Sequence, residues 1–91
     1  MTWRWDPRED KANQSKHGVP FWVAMLVFDD PLHLSRPDPC PDEEQWRTLG
    51  CVGAACLFVV HTMDESDALG GRIIGARRAT VGERRWYEEG D

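Results

Sequence analysis

The strongest structural signal in the chain is a pair of apolar segments on either side of a short turn. The segments are QWRTLGC at 45–51 and ACLFVVHTM at 55–63, and Gly53 lies between them. Two such runs around a short glycine-containing turn predict a β-hairpin. The second arm has apolar residues on both faces, which is typical of a central strand. We therefore expect an antiparallel sheet built around this hairpin.

The N-terminal segment predicts a short strand and a polar helix. TWRW at 2–5 alternates aromatic and polar side chains, as a strand does. Asp6 and Pro7 are a helix start, and Glu9 is expected to close a capping box with Asp6. Gly18 offers the left-handed conformation that ends many helices.

A second helix is predicted from Pro20 to the DDP motif at 29–31, where the proline disfavours further helix. Residues 32–34 (LHL) predict a short edge strand. Residues 35–44 (SRPDPCPDEE) are rich in proline and acids and predict an exposed, stiff loop. The buried stripe of the second helix is expected to comprise Phe21, Ala24, Met25 and Phe28.

The C-terminal part predicts a strand and a helix. After a turn or loop at 64–71, the alternating segment 72–77 predicts the last strand, and Thr80 with Glu83 forms a second capping box. The C-terminal helix is expected to run through Tyr87. The predicted order is β-α-α-β-β-β-β-α, an α+β fold with an antiparallel sheet.

Length and composition fit a single domain, 1–91. The chain has 91 residues, enough for one core, and its 41% hydrophobic content with five tryptophans exceeds that of a disordered chain. No apolar run approaches the roughly 20 residues that span a bilayer, and the N-terminus is charged at once. We expect no membrane association and a cytoplasmic location.

Neither cysteine nor histidine spacing predicts a metal site or a cofactor. Cys40, Cys51 and Cys56 are an odd number without C-x-x-C spacing, which favours reduced thiols. A contact between Cys51 and Cys56 across the hairpin turn is the alternative. The three histidines lie on separate predicted elements: His17, His33 and His61.

Five arginines crowd into 72–85, although the formal net charge of the chain is -5. Regular alternation places residues 72, 74, 76 and 78 of the last strand on one face and residues 73, 75 and 77 on the other. Where this strand meets the next helix, the arginines are expected to converge on a patch suited to phosphate. They are Arg72, Arg77, Arg78, Arg84 and Arg85.

The residues alone leave alternatives open. The arginines also fit a solvated face that pairs with the sixteen acids of the chain. Trp46 is either a stacking surface for a base or a core residue. His61 is either a general acid or base or a hydrogen-bonded structural residue.

Several short blocks keep their order and spacing over nearly the whole chain. They are WDP at 5–7, Asn13 with KHGV at 16–19, VFDDP at 27–31, EEQWRTLG at 43–50, VVHT at 59–62, and RIIGARRAT with ERRWYEEG within 72–90. Together they resemble the BrnT family of type II toxins. The collinear series, rather than any single block, makes the resemblance specific.

The resemblance implies a compact RelE-like ribonuclease fold. It implies an endoribonuclease that cleaves RNA without a metal ion and arrests translation. The partner it implies is a BrnA-type antitoxin with a ribbon-helix-helix region, typically two antitoxins with two toxins. Operator DNA would then be contacted only through the antitoxin.

Residue by residue, the resemblance implies that Arg72, Arg77 and Arg78 bind the scissile phosphate and offset its growing charge. Metal-free cleavage uses the 2'-hydroxyl of the RNA as the nucleophile, so a proton must be removed and another supplied. Glu44 is the first candidate for the base, and Glu43 is the second.

His61 and Tyr87 are the candidates for the general acid. Trp46 is the candidate stacking surface. The other residues expected to bind RNA are Lys11, Arg47 and Arg84.

Four positions differ from the pattern of the family, and at two of them, Pro20 and Gly75, members commonly have a serine. Glu9 and Gln45 stand where members usually have a lysine and an arginine, and Lys11 and Arg47 are the nearby cations. The missing cations motivate an alternative function, an antitoxin-binding corepressor without ribonuclease activity. A third interpretation is a structural domain whose arginines pair only with its own acids.

Overall fold

The computed structural model describes residues 3–39, 44–63 and 70–90. The elements in chain order are α1 Pro7–His17, α2 Phe21–Ala24, a 3₁₀ segment Met25–Asp29, β1 Leu34–Asp38, β2 Gln45–Val52, β3 Ala55–His61, β4 Ile73–Arg78 and α3 Val81–Glu89. The strands form one antiparallel sheet in the order β1-β2-β3-β4. The predicted α+β class is confirmed.

The predicted hairpin is confirmed. β2 and β3 pair up to Val52 opposite Ala55, and residues 53 and 54 form the turn. Gly53 has φ 59°, a left-handed conformation that glycine adopts without steric penalty. β3 is flanked by β2 and β4, as expected for a strand with two apolar faces.

The predicted edge strand is displaced along the chain. β1 begins at Leu34 and continues through Asp38, so part of the segment predicted as a loop is a strand. Pro37 is tolerated there because β1 is an edge strand. Residues 40–43 and 64–69, both within predicted loops, lie outside the described residues.

The predicted first strand is reduced to a single residue pair. Arg4 forms an isolated parallel bridge with Arg72, held by backbone hydrogen bonds of 3.0 and 2.9 Å. Trp3 and Trp5 both pack against the hydrophobic core. The prediction of a short strand was therefore wrong in its extent.

α1 begins and ends where predicted. The carboxylate of Asp6 accepts a hydrogen bond from the Arg8 amide at 2.8 Å, and Gly18 ends the helix with φ 74°. Glu9 was predicted to close a capping box, but its carboxylate accepts a hydrogen bond from Arg72 Nη1 at 2.9 Å. Glu9 therefore joins α1 to the residue before β4.

Asn13 attaches α1 to the edge of β4. Its Nδ2 donates to the carbonyl of Ala76 at 2.8 Å, and its Oδ1 accepts from the amide of Ala76 at 3.1 Å. Nδ2 also donates to the Val19 carbonyl at 2.9 Å. One side-chain amide thus pairs with both backbone groups of an edge-strand residue.

The predicted second helix changes its winding after one turn, from α to 3₁₀. The tighter winding of the 3₁₀ segment, with three residues per turn, brings position 27 rather than position 28 in line with Phe21 and Ala24 of α2. Phe21, Ala24 and Val27 are accordingly the fully buried ones. Met25 and Phe28, predicted as part of the stripe, are only partly buried.

The sheet has an inner and an outer face. The inner face carries the cross-strand row Thr48, Val59 and Ala76, and it packs against α2 and the 3₁₀ segment. Residues directly opposite each other project to the same face. The outer face therefore carries two rows: Arg36, Arg47, Val60 and Gly75; and Leu34, Leu49, Phe58 and Arg77.

A register shift interrupts the pairing of β3 with β4. As a result, Ile73 and Ala76, which have opposite parity, are both buried in the core. The regular alternation predicted for 72–78 is therefore wrong on the N-terminal side of Gly75.

α3 begins with the predicted capping box, in which Thr80 and Glu83 exchange side-chain and backbone hydrogen bonds. It ends at Gly90, whose φ is 73°. No helix in the described part of the chain is long and apolar enough to cross a membrane.

Candidate active site

The outer face carries a groove between the sheet and α3. Arg36 of β1, Arg47 of β2, Phe58 of β3, and Glu83 and Trp86 of α3 line it, and its volume is about 240 Å³. We call it the outer-face groove. Three strands and one helix thus bring two guanidinium groups and two aromatic rings to one open surface.

Arg36 and Arg47 are direct cross-strand partners. Like charges placed directly opposite each other in a sheet repel, so this arrangement favours the binding of an anion between them. Arg47 is half-buried and has no ion-pair partner within the described ranges. The guanidinium of Arg36 lies 4.2 Å from the ring centroid of Trp86.

Arg77 lies beside the groove over the ring of Phe58, with 4.2 Å between its guanidinium and the ring centroid. Its Nη1 and Nη2 donate to the two carboxylate oxygens of Glu83 at 2.8 and 2.9 Å. Nη1 also donates to the carbonyl of Arg78 at 3.2 Å. Three of the five N–H donors of an arginine are therefore used.

The ion pair shifts the titration of both groups. The hydrogen bond from Arg77 holds the pKa of Glu83 below its ordinary value, and the hydrogen bond to Glu83 raises the pKa of Arg77. A carboxylate stabilised in its charged form in this way is a weak proton acceptor at neutral pH.

The predicted convergence of Arg72, Arg77 and Arg78 is not observed. Arg72 is paired with Glu9 of α1, and it is five strand residues, about 16 Å, from Arg77. Arg78 is exposed and lies opposite Leu57. Of these three residues, Arg77 is the one seen in contact with lining residues of the groove, Phe58 and Glu83.

Two further predicted RNA-binding residues are solvent-exposed. Lys11 lies on α1. Arg84 lies on α3, with its Nε 3.7 Å from the carboxylate of Glu88 in an i,i+4 pair. Neither lines the groove, whereas Arg47 does.

His61 is fully buried on the inner face. Its Nε2 is 2.7 Å from the hydroxyl of Thr48, and its Nδ1 is 2.9 Å from the carbonyl of Thr62. The carbonyl requires a proton on Nδ1, and in the neutral imidazole Nε2 then accepts from the hydroxyl of Thr48. Burial lowers the pKa of His61, consistent with this state. This position favours the structural interpretation over the general-acid one.

Trp46 is also on the inner side of the sheet. It lies directly opposite His61 in the pairing of β2 with β3, so the two side chains share a face. Arg47, its neighbour in sequence, projects to the other face. The predicted stacking surface therefore does not adjoin the outer-face groove.

Tyr87 holds α3 to the segment before β1. Its hydroxyl donates to Asp30 Oδ2 at 2.5 Å, and the same oxygen accepts from the Cys51 amide at 2.8 Å. The bond to Asp30 strongly raises the pKa of Tyr87. Burial raises the pKa of Asp30, but hydrogen bonds led by the one from Tyr87 more than offset this, and the pKa is lowered.

Glu44 is exposed and immediately precedes β2. It does not line the groove. Glu43, the second candidate for the base, lies outside the described residues. Within the described ranges, no three His, Cys, Asp or Glu side chains cluster as potential metal ligands.

Sequence reasoning missed four residues that line the groove. Arg36 stands in a proline-rich segment that was predicted as a loop, and Phe58 was predicted only as part of the apolar central strand. Glu83 and Trp86 are three residues apart on α3 and project on the same side. The capping box predicted where α3 begins, and the spacing of three residues then places Glu83 and Trp86 on one side of the helix. This pattern could have indicated from sequence that the two side chains share a surface.

The fold is that of a ribonuclease toxin of a type II toxin-antitoxin system. The crystal structure of the Brucella abortus ribonuclease toxin BrnT, at 1.1 Å resolution, matches with a TM-score of 0.62 and 22% identity, covering 88% of this chain and 99% of that chain. A family model described as the ribonuclease toxin BrnT of type II toxin-antitoxin systems matches residues 5–83. The chain therefore belongs to the BrnT family, and the predicted resemblance is confirmed. No curated protein matches the chain significantly.

Proposed function

We propose that this chain is a metal-independent endoribonuclease that arrests translation in the cytoplasm, and that its outer-face groove binds the scissile phosphate. The observation that carries the proposal is the direct cross-strand pairing of Arg36 with Arg47. Both side chains project to the outer face and line the groove, and the planar fork of a guanidinium matches phosphate oxygens. Membership in a ribonuclease family makes RNA the relevant polyanion.

The chemistry needs a stabilised phosphorane and proton transfer. Attack by the 2'-hydroxyl increases the negative charge on the phosphate, and each donor aimed at it contributes on the order of 3 kcal/mol, about a hundredfold in rate. Arg47 and Arg36 supply such donors, and Arg77 retains its Nε–H and one Nη2–H. The carboxylate of Glu83 is already held by Arg77, so Glu44, exposed just before β2 and outside the groove, stays the proposed base, and the ribose of the bound RNA must extend from the groove to reach it.

Cleavage of a single-stranded RNA in excess chelator tests the proposal. The unaltered chain is expected to cleave the RNA in the chelator and to leave an all-deoxy analogue intact, because the nucleophile is the 2'-hydroxyl. Arg47→Gln is expected to slow cleavage about a hundredfold. Arg85→Gln removes the same charge at an exposed position of α3 and is expected to leave the rate unchanged.

Three outcomes would contradict the proposal. Cleavage that stops in chelator refutes metal independence. Equal rates for Arg47→Gln and Arg85→Gln refute the role of the groove. No cleavage by any variant, at confirmed folding, refutes the enzymatic function.

We further infer that a BrnA-type antitoxin with a ribbon-helix-helix region neutralises the chain, two antitoxins binding two toxins. Support comes from the family, because a type II toxin has a protein antitoxin. Operator DNA is then bound through the antitoxin. Light scattering on the co-expressed complex tests the stoichiometry, and a mass other than that of two copies of each chain refutes it.

One observation favours the corepressor as a second candidate function. Arg72 and Arg77, two predicted phosphate ligands, are each paired with an acid of the same chain, Glu9 and Glu83. A chain of this kind binds its antitoxin and strengthens operator binding without cleaving RNA. Tighter operator binding in its presence, with RNA left intact, supports this function over the first.

A further inference from the structure

The end of the hairpin places two cysteines directly opposite each other. Cys51 and Cys56 are the cross-strand partners next to the pair that closes the turn, Val52 and Ala55. The amide of Cys51 donates to Asp30 Oδ2 rather than across the hairpin. The cysteines are therefore a non-hydrogen-bonded pair, the kind in which facing side chains approach most closely.

This geometry suits a disulfide. The Cα atoms of a non-hydrogen-bonded antiparallel pair are about 4.5 Å apart. Disulfides join residues whose Cα atoms are about 4.4–6.8 Å apart. No backbone movement is therefore needed to join Cys51 to Cys56, and both are free thiols in the structure.

The two thiols differ in accessibility. Cys51 is half-buried, whereas Cys56 is buried, with 7% of its surface exposed. Burial, and then a hydrogen bond with the thiol of Cys51, raises the pKa of Cys56 to about 11. An oxidant from solvent therefore meets the sulfur of Cys51 first, with the sulfur of Cys56 in contact behind it.

We propose that Cys51 and Cys56 form a reversible disulfide when the protein meets a peroxide. The Cys51 thiol loses its proton, and the thiolate attacks hydrogen peroxide, breaking the O–O bond and becoming a sulfenic acid; the departing hydroxide takes up the thiol proton and leaves as one water. The sulfur of Cys56 then attacks Cys51 Sγ, giving the disulfide and a second water. Two thiols are oxidised and one peroxide is reduced, so atoms and electrons balance.

The disulfide changes a contact that holds α3. In the reduced protein the thiol of Cys51 lies beside the hydroxyl of Tyr87 as well as beside the thiol of Cys56, and it contributes to the raised pKa of both. Bonding to Cys56 withdraws Cys51 Sγ from Tyr87. It also ties the hairpin two residues from Phe58, the ring under Arg77. The inference does not depend on ribonuclease activity.

Peroxide treatment of the fully reduced chain, followed by intact mass and peptide mapping, tests the proposal. The oxidised chain is expected to lose two hydrogen atoms, to retain one reactive thiol of its three, and to recover all three with dithiothreitol. The Cys40→Ser variant is expected to form the same cross-link; residue 40 lies outside the described residues. Cys56→Ser is expected to retain oxygen on Cys51, because the resolving sulfur is missing.

A cross-link that maps to Cys40, or oxygen addition at Cys51 of the unaltered chain without a cross-link, would overturn the proposal. Unchanged thiols after peroxide would do the same. Thermal melts of each serine variant confirm that the comparison is made on folded protein.

Discussion

Arg77 and Glu83 are joined by two parallel N–H···O bonds of 2.8 and 2.9 Å. The same carboxylate accepts from the Thr80 amide at 2.9 Å, and the Glu83 amide donates to the hydroxyl of Thr80 at 3.1 Å. A single carboxylate thus completes the first turn of α3 and orients an arginine over Phe58. The start of the helix and the direction of the arginine depend on one residue.

Glu83→Gln is expected to reduce the free energy of unfolding by about 1 kcal/mol, because it weakens a charge-assisted pair and part of a cap. The substitution also removes a negative charge from the groove and frees donors of Arg77. RNA is therefore expected to bind about fivefold more tightly, a change of about 1 kcal/mol in the free energy of binding. Urea denaturation and RNA titration measure the two effects. Glu88→Gln, at an exposed ion pair of α3, is the control and is expected to change neither.

Tyr87→Phe is expected to reduce the free energy of unfolding by about 1 kcal/mol, because the carboxylate of Asp30 loses a donor at a partly solvated site. The raised pKa of Tyr87 makes it a poor proton donor at neutral pH, so the cleavage rate is expected to stay within a factor of two or so. Chemical denaturation and single-turnover cleavage distinguish the roles. Unchanged stability with a hundredfold slower rate would instead support Tyr87 as the general acid.

The protein is expected to become less stable as the pH falls below about 6.5. Burial holds the pKa of His61 under its ordinary value of 6.5, so in this range the unfolded chain binds a proton that the folded chain excludes. Stability is full above 6.5 and decreases below it, by at most about 1.4 kcal/mol per pH unit. Denaturation between pH 7.5 and 5 measures the slope. The dependence of stability on pH is expected to become weaker in His61→Gln. It is expected to stay the same in His17→Gln, the control, because His17 is exposed.

Gly50→Ala is expected to reduce the free energy of unfolding by about 1–3 kcal/mol. A methyl group at this position would lie 2.9 Å from both Cβ and the carbonyl oxygen of Val27, so the 3₁₀ segment would have to move. Gly75→Ala is the matched control in the same sheet, since its nearest neighbour is Asn13 Oδ1 at 3.8 Å. Thermal denaturation compares them, and equal melting temperatures would contradict the close packing of Val27 on β2.

Local features of the fold were predicted well. Thr80 and Glu83 are three residues apart and specify their own helix start, and the hairpin needs only a two-residue turn. Asp6 and Gly18 mark the ends of α1 for the same reason. In each case the interacting groups are neighbours in sequence, so the residue types are sufficient.

The site depends on contacts between distant parts of the chain, and those were predicted poorly. Glu9 had a local role available as a cap, but it pairs with Arg72, which is 63 residues away. The register shift between β3 and β4 arises from strand pairing and leaves no pattern within β4. Arg36 faces Arg47 only because a proline-rich segment joins the sheet as its edge.

The side-chain amide of Asn13 bonds to both backbone groups of Ala76, and it thereby occupies the edge of β4 much as another strand would. An incoming strand from a second molecule would have to displace this amide to pair with Ala76. At the opposite edge, Pro37 lacks an amide hydrogen to offer an incoming strand. Each edge strand of the sheet thus has a feature that opposes edge-to-edge pairing with another molecule. Such protection matters in a protein whose central hairpin is so apolar.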